Sequence, residues 1–327
     1  MALHSRHLAE LRYRRALAAA YGVRRRPRAK LPEQRWPRAA RTAYFLALKG
    51  VLTELRDGID RLLIPQLPRL LALVQANKPE ALRTDSADDL KAELDRIDAV
   101  VDDVLTTARL RRMVDRAAHD VADFNKQELN KQFRASLGID LLHGEPYLQT
   151  QLELFAEDNA RLITSLAAEH LGKVGDLVMR AARAGTRVEQ LRKDIEQRFE
   201  VTQGKAQLLA RDQVGKLNGE LTQLRQASVG VTEYEWSTSR DERVRKRHAD
   251  LEGTTHSWDD PPVVDEKTGR RAHPGQDFQC RCTALPKVDD LLNALGDLGP
   301  DADEAPRTPR PSRPPSVRVP RIEEPAE

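Results

Sequence analysis

Apolar residues recur every three or four positions from Tyr44 to Leu224, and after Gly230 they recur at every second position. A period near 3.6 lines one face of a helix and a period of two lines one face of a strand, so this change divides the chain into a long helical part and a short mixed part. Leu48, Leu52, Leu55, Ile59 and Leu62 form one stripe, which Pro65 and Pro68 interrupt because proline cannot donate in a helix interior. A second run of Leu90, Leu94, Ile97, Val101, Val104 and Ala108 is flanked by Asp95, Arg96, Asp102 and Asp103, and a stripe of that width needs a partner helix. Gly138, Gly144 and Pro146 then break the pattern and mark a boundary.

Beyond that boundary, Leu152, Phe155, Leu162, Ile163, Leu166 and Leu171 predict a helix that Gly172 and Gly175 weaken. Gly185 is placed to end a helix, and Thr186 to Glu189 has the form of a capping box for the next one. Thr202 is expected to open a further helix burying Ala206, Leu209, Ala210, Val214, Leu217, Leu221 and Leu224, ending near Gly230. The alternation of Thr232, Tyr234, Trp236 and Thr238 with Glu233, Glu235 and Ser237 predicts a strand over 232–238. Asp241 is expected to cap a short helix reaching His248, and a second strand is expected over 279–285. The fold class is mainly α with a small α+β C-terminal domain.

Hydrophobic residues make up 39% of the 327 and aromatics only 4%, so burial must rest on Leu, Ala, Val and Ile. No run approaches the roughly 18 uncharged apolar residues of a membrane span, and no apolar segment resembling a secretory leader opens the chain. A soluble protein is expected. The two cysteines stand two positions apart, too close for an unstrained bridge, which favours a reducing compartment. Between Met1 and Thr42 there are twelve Lys/Arg against two acids, whereas the whole chain has a formal charge of only +3. Such an arm can neutralise DNA phosphates, lie on an acidic protein surface or remain solvated. Past Gly299, eight of the last 28 residues are Pro and no apolar period survives, so the tail is expected to be disordered. The domain reading is a basic arm over 1–43, a helical region over 44–137, a second unit over 138–290 and a Pro-rich tail over 291–327.

The segment from Trp236 to Pro286 holds both cysteines, three of the eight histidines and two of the three tryptophans. His248, His273, Cys280 and Cys282 are four side chains of the kind that hold Zn²⁺ tetrahedrally, with Asp241 or His256 as substitutes for one of them. The C-x-C spacing and the 25 residues between the histidines depart from zinc-finger spacing, but residues i and i+2 of a strand share a face. Buried thiols packing as small hydrophobes are the alternative. A cysteine nucleophile beside His248 or His273 lacks a third orienting group. A metal nuclease using His248, Asp250, His256 and Asp260 would need DNA at the site, and the basic arm lies about 200 residues away in sequence. Trp236 and Trp258 are expected in the core.

Read together, W-S-T-S-R-D-E-R-V-R-K-R-H-A-D-L-E-G, D-D-P-P and H-P-G-Q-D-F-Q-C-R-C-T-A-L-P resemble the phage Mu F-like family of head morphogenesis, or minor head, proteins. Trp236, Asp241, Arg243, Val244, Arg245, His248, Gly253, Asp260, Pro261, Pro262, His273, Pro274, Cys280, Arg281, Cys282 and Pro286 fall in the family's order and spacing. Ala210 to Gln213 and Asn218 resemble its preceding helices, so the resemblance covers about 152–286. One departure is Gln279, where Asn is expected. The resemblance implies a non-enzymatic phage or prophage virion protein, assembled in the host bacterial cytoplasm. Its implied partners are the portal vertex and capsid or scaffold proteins; DNA contact through the basic arm is a reading of that arm's charge alone, which lies outside the resemblance. On this reading the matching string is a braced scaffold, and Arg243 and Arg245 are expected to pair with Asp241, Asp259 or Asp260.

Overall fold

The computed structural model describes residues 31–76, 92, 95, 96, 99, 107–137, 140–142 and 144–288. The basic arm up to residue 30, the second apolar run except Ala108, the break at Gly138 and the Pro-rich tail lie outside them. Described elements run in the order α1 (Arg38–Leu62), a 3-10 turn (Ile64–Gln66), α2 (Leu67–Ala76), α3 (Thr107–Leu137), α4 (Leu148–Ala184), α5 (Val188–Ser228), β1 (Glu233–Ser237), α6 (Lys246–Asp250), β2 (Thr255–Ser257), β3 (Val263–Asp265), β4 (Arg270–Arg271) and β5 (Thr283–Pro286). The architecture is mainly α with a small α+β C-terminal part, as the change of period implies.

The first stripe packs as expected: Tyr44, Leu48, Leu52, Leu55 and Ile59 of α1 are buried in one core with Val114 and Val121 of α3, Ile163 and Val174 of α4, and Leu191, Leu217 and Leu221 of α5. Pro65 falls in the 3-10 turn and Pro68 in the first turn of α2, where a missing N–H costs nothing. This core joins helices from either side of position 138.

Two local expectations, the capping box at Thr186 and the helix start at Thr202, fail for identifiable reasons. Gly172 and Gly175 lie inside α4, which runs unbroken to Gly185 because Leu171, Val174 and Val178 keep its buried face continuous. Gly185 does end that helix, at φ 66°, donating to the Ala181 carbonyl. The Thr186 capping box does not form: Arg187 is the N-cap and no side chain caps α5. Thr202 does not open a helix but lies in the middle of α5, buried, with its hydroxyl donating to the Arg198 carbonyl at 3.0 Å. A buried hydroxyl satisfied by the preceding turn leaves the helix intact, and Phe199, Thr202 and Ala206 continue one inward stripe.

After Gly230 the chain forms a small knot against α5. β1 is the centre of a three-stranded antiparallel sheet in the order β2-β1-β5, with Tyr234 opposite Pro286 and Trp236 opposite Ala284; β3 and β4 form a separate hairpin. Tyr234, Trp236, Leu251, Trp258, Val264, Cys280, Cys282 and Ala284 make its core. Docking on α5 is backbone against backbone. A Cβ on Gly219 would stand 2.7 Å from the Pro274 carbonyl oxygen, and one on Gly215 would stand 3.0 Å from that of Cys280. Gln226 of α5 completes the joint, donating to the Ala284 carbonyl at 2.9 Å and accepting the Trp258 indole N–H at 3.2 Å.

Candidate metal centre

His248 stands on α6, a single turn whose N-cap is Arg245; Asp241 instead closes the preceding turn, accepting the Arg243 amide at 3.1 Å. Cys280 and Cys282 lie just ahead of β5 rather than within it, because the chain turns through Asp277 to Gln279 before it becomes extended. Both thiols are nevertheless buried and face the same ring: each Sγ lies 3.6 Å from His248 Nδ1. One ligand atom from each of these three residues lies within 4.8 Å of the others, the one such set of three or more His, Cys, Asp or Glu among the described residues.

The opposite ring nitrogen, Nε2, lies 3.0 Å from Asp277 Oδ2. A carboxylate holding one imidazole nitrogen while the other faces two sulfurs is the outer arrangement that fixes a metal-ligating histidine. Asp277 is itself buried and shared: Arg245 Nη1 reaches Oδ2 at 2.7 Å and Arg270 Nη2 reaches Oδ1 at 2.9 Å. Trp236 closes another side, edge-on to the His248 ring at 5.4 Å.

Two thiols in contact cannot both ionise easily. The Cys282 thiol, against the opposing effect of burial, holds the Cys280 proton affinity well below the ordinary thiol value: Cys282 donates to Cys280 and His248 adds attraction. Cys282 is pushed up, first by that same bond and then by burial. Burial opposes protonation of His248, but the Cys280 sulfur and the Asp277 carboxylate outweigh it and raise its pKa. Both shifts favour the charged pair, a Cys280 thiolate beside a protonated His248. The donor set of two sulfurs and one nitrogen suits a thiophilic tetrahedral ion such as Zn²⁺, for which His248, Cys280 and Cys282 would be three ligands.

The other residues named from sequence go elsewhere. His273 falls outside the cluster: its Nδ1 lies 2.9 Å from the Tyr234 hydroxyl and its ring packs edge-on against Trp258, 4.9 Å away. The turn from His273 to Gln276, which carries Pro274 against α5, sets it there. Asp241 pairs with Arg281 at 2.5 Å, and His256 Nε2 lies 2.7 Å from the Thr254 hydroxyl. Asp260 pairs with Arg271, so the four nuclease candidates do not converge. Arg245 braces a loop as expected, but through Asp277, whereas Arg243 only approaches its neighbour Glu242, at 3.6 Å on the surface. Trp236 and Trp258 are both buried.

Asp277 escaped sequence reasoning although it stands three residues before Cys280. The position of Gln279 is informative as well, since its φ is 53°. Among residues other than glycine, Asn tolerates this left-handed region well, which accounts for the Asn expected there. Gln279 is held in place by its amide bond to Asp212 Oδ1 at 2.8 Å and its side-chain bond to the Leu208 carbonyl at 2.7 Å.

Residues 172–285 match the family model described as Phage Mu protein F like protein. This segment is similar to the Mu F-like family. It contains α5, the glycine joint and the whole His248, Cys280, Cys282 cluster. An uncharacterized protein of Haemophilus influenzae is 36% identical over 168 residues, which is 50% of this chain. The chain spans about a third of that relative's length, 36%. No solved structure matches.

Proposed function

We propose that the protein is a minor head protein of a tailed phage or prophage, part of the virion, that joins the portal vertex and assists head assembly, DNA packaging or DNA delivery. The match of residues 172–285 to the Mu F-like family carries this reading. In it, the helical body and the knot form a structural piece rather than a catalytic one, with portal and capsid or scaffold proteins as partners. The knot carries a structural zinc on His248, Cys280 and Cys282, which when bound would tie the loop before β5 to α6. What the chain's own residues contribute supports that role. Asp277 fixes the imidazole, Arg245 and Arg270 neutralise Asp277, and Trp236 and Trp258 close the core around them. Among the described residues no helix is long and apolar enough to cross a membrane.

The test is co-production of the full chain with the portal protein of the same phage. Co-elution of the two, and heads assembled without the chain that package or deliver DNA poorly, is the expected outcome. Normal infectious particles formed without the chain would overturn the proposal.

A further inference from the structure

A cavity of about 180 Å³ opens over the thiol cluster, lined by Arg211, Arg243, Arg245 and Arg281 together with Ser239, Gln279, His248 and both cysteines. Four guanidinium groups and no carboxylate form its wall. Two of the four are compensated from outside it, Arg245 by Asp277 and Arg281 by Asp241. Among the described residues Arg243 has Glu242 as its one ion-pair partner, at 3.6 Å, with both side chains largely exposed. Arg211 gives one bond to the Gln279 carbonyl at 3.1 Å, and its Nε is buried with no hydrogen-bond partner among the described residues. Burial, then Arg281 and Arg243, lower the Arg211 pKa, so the fold gathers cations that repel one another.

We propose that this cavity is a site for one phosphate group, bound by Arg211 and Arg243 with the Ser239 hydroxyl beside them. Guanidinium groups recognise phosphate oxygens through paired N–H donors. The volume is below the roughly 300 Å³ of sites for whole drug-sized ligands, which limits the occupant to a small group. A second observation bears on where that phosphate comes from. The neighbouring cavity of about 500 Å³ shares Ser239 and Arg281 and is lined on its other side by Glu33, Gln34, Arg35 and Arg38. Arg240 of the knot pairs there with Glu33 at 2.5 Å. The first 30 residues, nine of them Lys/Arg against one acid, therefore join the described structure beside the phosphate site, despite the 200 residues between them in sequence. One phosphate oxygen set could belong to free phosphate or to a DNA backbone.

The experiment titrates the full chain with inorganic phosphate by calorimetry and with a short labelled DNA duplex by anisotropy over a salt series. Wild type is compared with Arg243→Gln, Arg211→Met and the distant exposed Arg192→Gln. Phosphate binding that falls about tenfold in each of the first two variants and is unchanged in the third is expected, the size of one lost charge-assisted hydrogen bond. A DNA salt slope shallower by about one in those variants assigns the site to a phosphodiester; phosphate binding without any such change in DNA binding assigns it to the free ion. Arg243 is exposed, so its variant decides the matter if Arg211→Met fails to fold. No phosphate binding by wild type, or binding equal in all four proteins, overturns the proposal, and DNA binding equal in all four then belongs to the basic arm.

Discussion

In the helical body, α1, α3, α4 and α5 bury a continuous set of Leu, Val, Ile and Ala side chains, with a buried polar network across the helices in which Asn125 donates to Asn218 and Thr222 and Arg225 donates to Asn125 and Glu145. From Gly230 to Val288 the strands are two to five residues long, and eight buried residues, two of them cysteines, form the core. A sheet that small buries too little apolar surface to hold itself together and borrows stability from ion pairs, from thiol chemistry or from a neighbour. The knot draws on all three: Asp277 gathers His248, Arg245 and Arg270, the thiols meet over His248, and α5 accepts its backbone at Gly215 and Gly219. The lesson is that apolar periodicity lays out the body around its buried polar network, while the knot, with little apolar core, depends mainly on specific polar residues.

Two tryptophans of three lie in the knot and most helix lies in the body, so tryptophan fluorescence and far-ultraviolet circular dichroism follow the two regions separately. Asp277→Ala should have the largest effect, about 3–5 kcal/mol, because it removes the buried carboxylate that holds the buried His248 ring and that Arg245 and Arg270 share. It should lower the fluorescence transition far more than the helical one; equal shifts of the two would break the contrast.

His170 tests the body in the same way. It is fully buried between α4 and α5, with Nδ1 2.8 Å from the Thr202 hydroxyl, and burial, followed by Arg198, lowers its pKa from 6.5 to about 4. Between those values the unfolded chain binds the proton and the folded chain does not, so stability falls as the pH drops from 6.5 toward 4 and then levels off. The loss should be about 3 kcal/mol, at 1.36 kcal/mol per pKa unit. Chemical denaturation across that range should show it in wild type and not in His170→Leu.

A smaller change should come from Gly219→Ala, whose Cβ meets a carbonyl: overpacking of this kind costs about 1–3 kcal/mol, and it should loosen the knot while leaving the helical signal nearly unchanged. The least is expected from Arg245→Ala. Its side chain is half exposed and Asp277 keeps Arg270, so a melting shift worth about 1 kcal/mol is the prediction.

Much of the body was legible in the sequence because one face of each helix is read by spacing alone, as with Leu48 to Ile59 or Ala206 to Leu221. Thr202 misled because a hydroxyl that can open a helix can also bond backward inside one. In the knot, His248, Cys280 and Cys282 were legible as residue types, but His273 was not separable from them, since a turn and a tyrosine decide where its ring lies. Asp277 was visible but unremarkable until its three cationic partners, 7 to 32 residues away, came together around it. The return of Glu33 to Arg240 spans 207 residues and has no local signature.

The central claim is that the thiol and imidazole groups of the knot form a structural brace. Metal analysis of the full chain, purified without added metal and again after zinc and dialysis, tests it most directly. The account predicts one zinc per chain, lost in Cys282→Ser, with chelation lowering the tryptophan transition of wild type but not of that variant. A chain that takes up no zinc and whose melting is indifferent to chelator would contradict it.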